Sequence, residues 1–147
     1  MTKHFTASGL VFHEGKVLLL KHKKLGSWIY PGGHIEENES PDEGVVREIY
    51  EETGYRVEVL DFGRLKYCDA KAKILPQPFC VLEENIDDGG LHTHIDFVYI
   101  CKLADENAEK SKENTETAWF TREMTAEMDM LDNFRYILND AFERLSF

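Results

Sequence analysis

Apolar and polar positions are arranged along the chain in patterns that place most of its elements. From Phe5 to Phe12, and again from Lys16 to Leu20, β-branched, aromatic and aliphatic residues flank His13-Glu14-Gly15, which predicts a hairpin. Tyr55 to Leu65, Phe79 to Leu82 and His94 to Leu103 read as further strands, with breaks at Pro76, Pro78 and Gly89-Gly90. The resulting sheet is expected to be mixed in direction. Trp28-Ile29-Tyr30 runs into Pro31-Gly32-Gly33, a loop signal. A well-marked helix start follows, with Ser40 as N-cap, Pro41 at the first helical position and Glu43 at the third, together a capping box. The helix is expected from Pro41 to about Thr53, with Gly54 as its left-handed stop. Ala104 to Thr117 has no period and is expected to be an exposed, mobile loop before the apolar return at Trp119-Phe120. Phe134, Ile137, Leu138, Ala141, Phe142 and Leu145 then recur at helical spacing, as in an amphipathic helix packed on the sheet.

The first helix carries the chemistry. At about 100° per residue, Val45, Val46, Ile49, Tyr50 and Thr53 fall on one side and Arg47, Glu48, Glu51 and Glu52 on the other. Glu48 and Glu52 are one turn apart with Glu51 beside them, and such like-charged neighbours destabilise a helix by about 0.2 to 0.5 kcal/mol per pair. A bound divalent cation reverses that sign. Hard cations such as magnesium choose carboxylate oxygens and keep sites open for substrate phosphates. Taken alone, these residues fit a solvated acidic face equally well. Gly44, in the midst of them, costs a helix about 1 kcal/mol relative to alanine. It implies either room kept for a group or a tight packing contact.

Bulk composition narrows the partners. A chain of 147 residues, 42% hydrophobic and 31% charged, suits one domain with a packed core. Its formal charge of -11, from 28 acids and 17 bases, repels a nucleic acid polymer. A small phosphorylated substrate would need a cation or a local basic cluster, and Lys21, His22, Lys23 and Lys24 form such a cluster. That segment is either a solvated loop or a guide for phosphate. Cys68, Cys80 and Cys101 lack disulfide or zinc-knuckle spacing, so a cytoplasmic location is expected. No window approaches the ~20 apolar residues of a membrane span, so no membrane partner is expected.

Reading outward from the acidic helix gives Gly33, five residues, Glu39, seven residues, then Arg47-Glu48-Ile49-Tyr50-Glu51-Glu52-Thr53-Gly54-Tyr55. This resembles the Nudix box, Gly-x5-Glu-x7-Arg-Glu-U-x-Glu-Glu-x-Gly-U with U bulky and apolar, of the Nudix (MutT-like) hydrolases. Tyr55 departs from the usual aliphatic residue, which touches packing only. The box covers residues 33–55, and the rest of the chain agrees only in the order of its elements. The resemblance implies an α/β fold, the Nudix α/β/α sandwich with a mixed sheet between helices, as one domain over residues 1–147. It implies a magnesium cofactor, with manganese as a substitute. The metal group would be Glu48, Glu51 and Glu52, with Glu48 and Glu52 as direct ligands and Gly33 lending a neighbouring backbone carbonyl. Arg47 and Glu39 would pair to hold helix and loop in register.

The resemblance also implies hydrolysis of a nucleoside diphosphate linked to another moiety. The competing functions are a catalytically silent nucleotide-binding sensor and an isomerase acting on a non-nucleotide diphosphate. A base from outside the box could be Glu113 or Glu116, with Glu83 and Glu84 as rivals. His34, Trp28 and Tyr30 are candidate substrate contacts, and Phe79 and Trp119 could stack on a base, although core packing also explains the aromatics. His92, His94 and Asp96 alternate and would share one strand face. That row suits the substrate cleft, or pairing with polar neighbours, better than a separate transition-metal site, because no further histidine is placed by sequence to complete one. Oligomeric state stays open, a homodimer being one option.

Overall fold

The computed structural model describes residues 2–24, 26–86, 91–113 and 115–145. Strands β1 (Thr2–His13) and β2 (Lys16–Lys21) form the hairpin, pairing Phe12 with Val17 and His13 with Lys16. Glu14 and Gly15 turn between them with φ of 50° and 78°, the left-handed pair that matches the twist of a tight hairpin. Strands β3 (Trp28–Ile29) and β4 (Gly32–His34) lie where the sequence reads as a loop. They are too short to show a period, and each forms because β2 or β1 supplies an open edge.

Helix α1 spans Pro41–Thr53 with Ser40 before it and Gly54 after it, the latter at φ 81°. The backbone N–H of Ser40 donates to Glu43 Oε1 at 3.0 Å, as a capping box requires. Strand β5 is confined to Val57–Val59 within the stretch expected as one long strand, since the chain leaves the sheet after Leu60. Strand β6 (Cys80–Ile86) and β7 (His92–Leu103) exceed their expected lengths because they pair with each other from Cys80↔Val98 to Ile86↔His92. The expected break at Gly89-Gly90 lies outside the described residues. Strand β8 (Thr117–Thr121), helix α2 (Arg122–Ala126) and helix α3 (Asp132–Leu145) complete the fold.

At the centre β1 and β7 run parallel, from Thr2↔His92 to Phe12↔Lys102. The other pairings are antiparallel: β2 and β4 on β1, β3 and β8 on β2, and β5 and β6 on β7. One mixed sheet results, buried on both faces. Leu10, Phe12, Val98 and Ile100 pack against Phe134, Leu138, Ala141 and Phe142 of α3. The alternate residues Ala7, Val11, Tyr99 and Cys101 pack with Val45 and Ile49 of α1. This is the α/β/α sandwich, and double-sided burial explains why central strands read as nearly continuous apolar runs. Among the described residues no helix is long and apolar enough to cross a membrane.

The segment between β7 and β8 is largely exposed, yet two of its amides close the end of α1. Glu109 N–H donates to Gly54 O at 2.9 Å, and Lys112 N–H to Glu51 O at 3.1 Å. Carbonyls that a helix end leaves without partners are thereby satisfied. The same contacts bring Glu113 back to the acidic face of α1.

Candidate active site

The wheel reading of α1 holds in its main division: Val45, Ile49 and Thr53 are buried, Val46 is partly buried and Tyr50 turns out to Glu109, while Arg47, Glu48, Glu51 and Glu52 lie on the other side, where Glu48 and Glu52 meet β4. Arg47 organises these acids. Its guanidinium grips Glu39 through Nε to Oε2 at 2.7 Å and Nη2 to Oε1 at 3.0 Å. Nη1 donates to Glu48 at 3.0 Å and to Glu51 at 3.2 Å, and Nη2 to the His34 carbonyl at 3.1 Å. The bond from Arg47 holds the Glu39 carboxyl below the usual carboxylate range. Arg47 and Glu39 therefore form the pair expected of them, joining α1 to the loop that enters it. Gly44 is explained by the same pair, because a Cβ there would stand 3.0 Å from Glu39 Oε1. The room kept at this position is for Glu39.

Glu48, Glu52 and Glu113 offer carboxylate oxygens that all lie within 4.8 Å of one another. Glu48 is raised above the ordinary carboxylate range by burial, against the pull of Arg47. Glu52 is pushed up to about 8 by burial and by the charges of Glu48, Glu113 and Glu51, although the Gly32 N–H donates to its Oε1 at 2.8 Å. Three clustered carboxyls, with ionisation disfavoured at Glu48 and Glu52, fit a hard divalent cation, which would supply the missing positive charge. Gly33 lies against this group. A Cβ at that position would fall 2.6 Å from the carboxyl carbon of Glu48. Gly33→Ala is therefore expected to displace the Glu48 carboxylate and lower kcat/KM about 10- to 100-fold, the usual result of shifting a reacting group by about 1 Å. Steady-state kinetics with a melting curve alongside checks it, with little change in Tm expected.

Glu51, grouped with the metal ligands at the sequence level, turns to Arg47 and is not part of the convergent three. Of the acids outside the box, only Glu113 joins them among the described residues. Glu83 is held by Lys3 at 2.8 Å, and Glu84 is half-buried on β6, paired with His94 of β7. Glu116 contributes its carbonyl to the Lys21 amide at 2.9 Å. The basic segment adjoins the cluster, with Lys23 Nζ donating to the Glu113 carbonyl at 3.2 Å.

The aromatic candidates have aromatic neighbours. Trp28 meets Phe120 with ring centres 5.0 Å apart, Tyr30 meets Phe134 at 4.8 Å, Phe79 meets Phe62 at 5.3 Å, and Trp119 meets Tyr55 at 5.5 Å. Tyr30 also donates to Asp96 Oδ2 at 3.3 Å. Trp28 lines an open recess with Gly26, Ser27, Met128 and Asp129. Asp96 is buried and accepts from Thr6 at 3.0 Å and Ser8 at 2.9 Å, which separates it from the histidine row. The view that no further histidine completes that row is corrected: His4 and His34 come to His92 and His94. Residues distant in sequence meet here through strand register, which no local spacing reveals.

A mixed sheet between helices, with the glycine-bearing strand β4 and a glutamate helix converging over one end, defines a carboxylate-rich site suited to a divalent cation. The NUDIX domain profile matches residues 2–141, and the chain belongs to the Nudix family. A probable DHNTP pyrophosphohydrolase of Lactococcus lactis is 33% identical over 71% of this chain and 57% of its own length. The chain thus spans little more than half of that relative. A NUDIX-family hydrolase from Clostridium perfringens superposes with a TM-score of 0.79 at 27% identity, covering 99% of both chains. The NUDIX domain of Shewanella oneidensis NrtR, solved with ADP ribose, shares the fold at a TM-score of 0.67 and 22% identity, over 99% of this chain and 90% of that one.

Proposed function

We propose that this protein is a divalent-metal-dependent hydrolase of the phosphoanhydride bond in a nucleoside diphosphate linked to another moiety, with magnesium as the metal and manganese as its substitute. The observation that carries this reading is the convergence of Glu48, Glu52 and Glu113 with Glu52 pushed up to about 8. When bound, the cation neutralises charge on the substrate phosphates and acidifies the attacking water. Glu48 and Glu52 hold it. The Gly32 amide orients Glu52, and Arg47 orients Glu48 while tying Glu51 and Glu39 to the same guanidinium. Glu113 is exposed on its loop, and its carboxylate takes the proton of the attacking water. The Lys21 to Lys24 segment draws phosphates toward this end of an acidic molecule. A relative named for DHNTP pyrophosphohydrolysis and a neighbour solved with ADP ribose support a small diphosphate-bearing substrate rather than a polymer.

We read residues 1–147 as one domain, and the unbridged Cys68, Cys80 and Cys101 suit a reducing cytoplasm. The test is a hydrolysis panel of nucleoside triphosphates, ADP-ribose, nucleotide sugars, dinucleoside polyphosphates and NADH, with magnesium or manganese. At least one compound should yield a nucleoside monophosphate in a reaction that a chelator stops. Tight nucleotide binding with no turnover across the panel would instead make this a sensor.

A further inference from the structure

Four histidines meet on the sheet face turned away from α1. Strand register puts them there: β1 and β7 pair His4 with His94 and Thr2 with His92, and β1 and β4 pair Thr6 with His34. Side chains two apart on a strand share a face, so His92 and His94 project together, and His4 lies beside them. One ring nitrogen from each of the four lies within 4.8 Å of the other three. His4 Nδ1 stands 2.6 Å from His92 Nε2 and 3.2 Å from His34 Nε2. The His94 ring is centred 4.8 Å from that of His92 and 5.1 Å from that of His34.

An imidazole Nδ1 carries either one proton or one in-plane lone pair. His4 Nδ1 therefore cannot make a full hydrogen bond to both neighbours at once. A shared cation removes the conflict by accepting all the lone pairs. Nitrogens bound at 2.0 to 2.1 Å around a tetrahedral zinc ion stand about 3.3 Å apart. The His4–His34 separation already matches that edge, and His4–His92 reaches it with a small opening of the rings. We propose that His4, His34, His92 and His94 form a second metal site, of transition-metal type, that takes Zn²⁺ and is separate from the glutamate cluster. Imidazole nitrogen suits zinc, copper and nickel, whereas magnesium prefers oxygen, so the two sites select different ions. Zinc here would tie together β1, β4 and β7. The sites share β4: His34 supplies a ring to one, while its carbonyl accepts from Arg47 and the Gly32 amide holds Glu52.

The test titrates Co²⁺, and then Zn²⁺, into chelator-treated full-length protein held in excess magnesium. Expected is one equivalent of Co²⁺ with the visible absorption of a nitrogen-rich, four-coordinate site, bleached by one equivalent of Zn²⁺. Glu52→Gln should keep that signal, and His4→Ala/His92→Ala should lose it while retaining the wild-type circular dichroism. If the double variant does not fold, imidazole ¹⁵N shifts of the wild type on adding Zn²⁺ give the answer without substitution. Expected there is a shift at all four rings. No stoichiometric signal, a signal that survives in the folded histidine variant, or one lost in Glu52→Gln would overturn the site. So would histidine ¹⁵N shifts that respond to inorganic phosphate and not to Zn²⁺, which would make the cluster an anion contact.

Discussion

Glu52→Gln is expected to lower turnover about 10²- to 10⁴-fold, while the metal-free variant melts no lower than the wild type. Both halves follow from one feature. Glu52 is largely withdrawn from water beside Glu48 and Glu113, and burial with those charges pushes its pKa up to about 8. Ionising it costs the empty protein free energy, which a neutral amide of the same shape does not incur. The amide can still accept from the Gly32 N–H, now 2.8 Å from Oε1, so the local geometry survives. What it cannot do is hold a hard cation with a charged oxygen. Added magnesium should accordingly raise the Tm of the wild type, and that of Glu52→Gln far less. Kinetics and melting curves with and without chelator check both parts. An active variant would remove Glu52 from the mechanism, and a variant that melts much lower would make its role structural.

Arg47→Ala acts in the opposite sense and is expected to destabilise the protein by about 2 to 3 kcal/mol. Breaking a buried ion pair by removing one partner costs about 3 to 5 kcal/mol. Partial exposure reduces that figure, since the side chains of Arg47, Glu39 and Glu48 retain 22%, 14% and 16% of their accessible surface. The loss strands Glu39, Glu48 and Glu51 together, and the junction between His34 and α1 goes with it. For a chain of this size the change corresponds to a Tm drop of about 5 to 10 °C. Arg47→Lys should recover less than half, because an ammonium cannot reproduce the two-pronged grip on Glu39. Urea unfolding with an unchanged slope measures the difference. Wild-type stability in Arg47→Ala would show the network to be surface decoration.

What the sequence discloses divides along the range of the interactions. Helix α1 is legible to the residue because its determinants are local: Ser40, Pro41 and Glu43 start it, Gly54 stops it, and the box spacing fixes which face bears Glu48 and Glu52. The hairpin and α3 are legible for the same reason, through turn residues and periodicity. Strands β3 and β4 are not, since two or three residues form a strand only when a neighbour offers its edge. The long strand expected after Tyr55 shrinks to Val57–Val59, because propensity does not supply a partner beyond Leu60. Glu113 and the four histidines are assembled by pairing across the sheet and by a loop that returns to α1. Glu113 could be named only among rivals, and His4 gave no local signal at all.

The central claim is that Glu48 and Glu52, converging with Glu113, hold a divalent ion that captures the phosphates of the substrate. The measurement that tests it most directly is Mn²⁺ titration followed by electron paramagnetic resonance, with and without a non-hydrolysable nucleoside diphosphate derivative. The wild type should bind Mn²⁺, more tightly when the nucleotide is present, and Glu48→Gln/Glu52→Gln should lose that binding while remaining folded. Mn²⁺ that stays unbound by the wild type with the nucleotide in place, or binds the double variant equally well, would contradict the account.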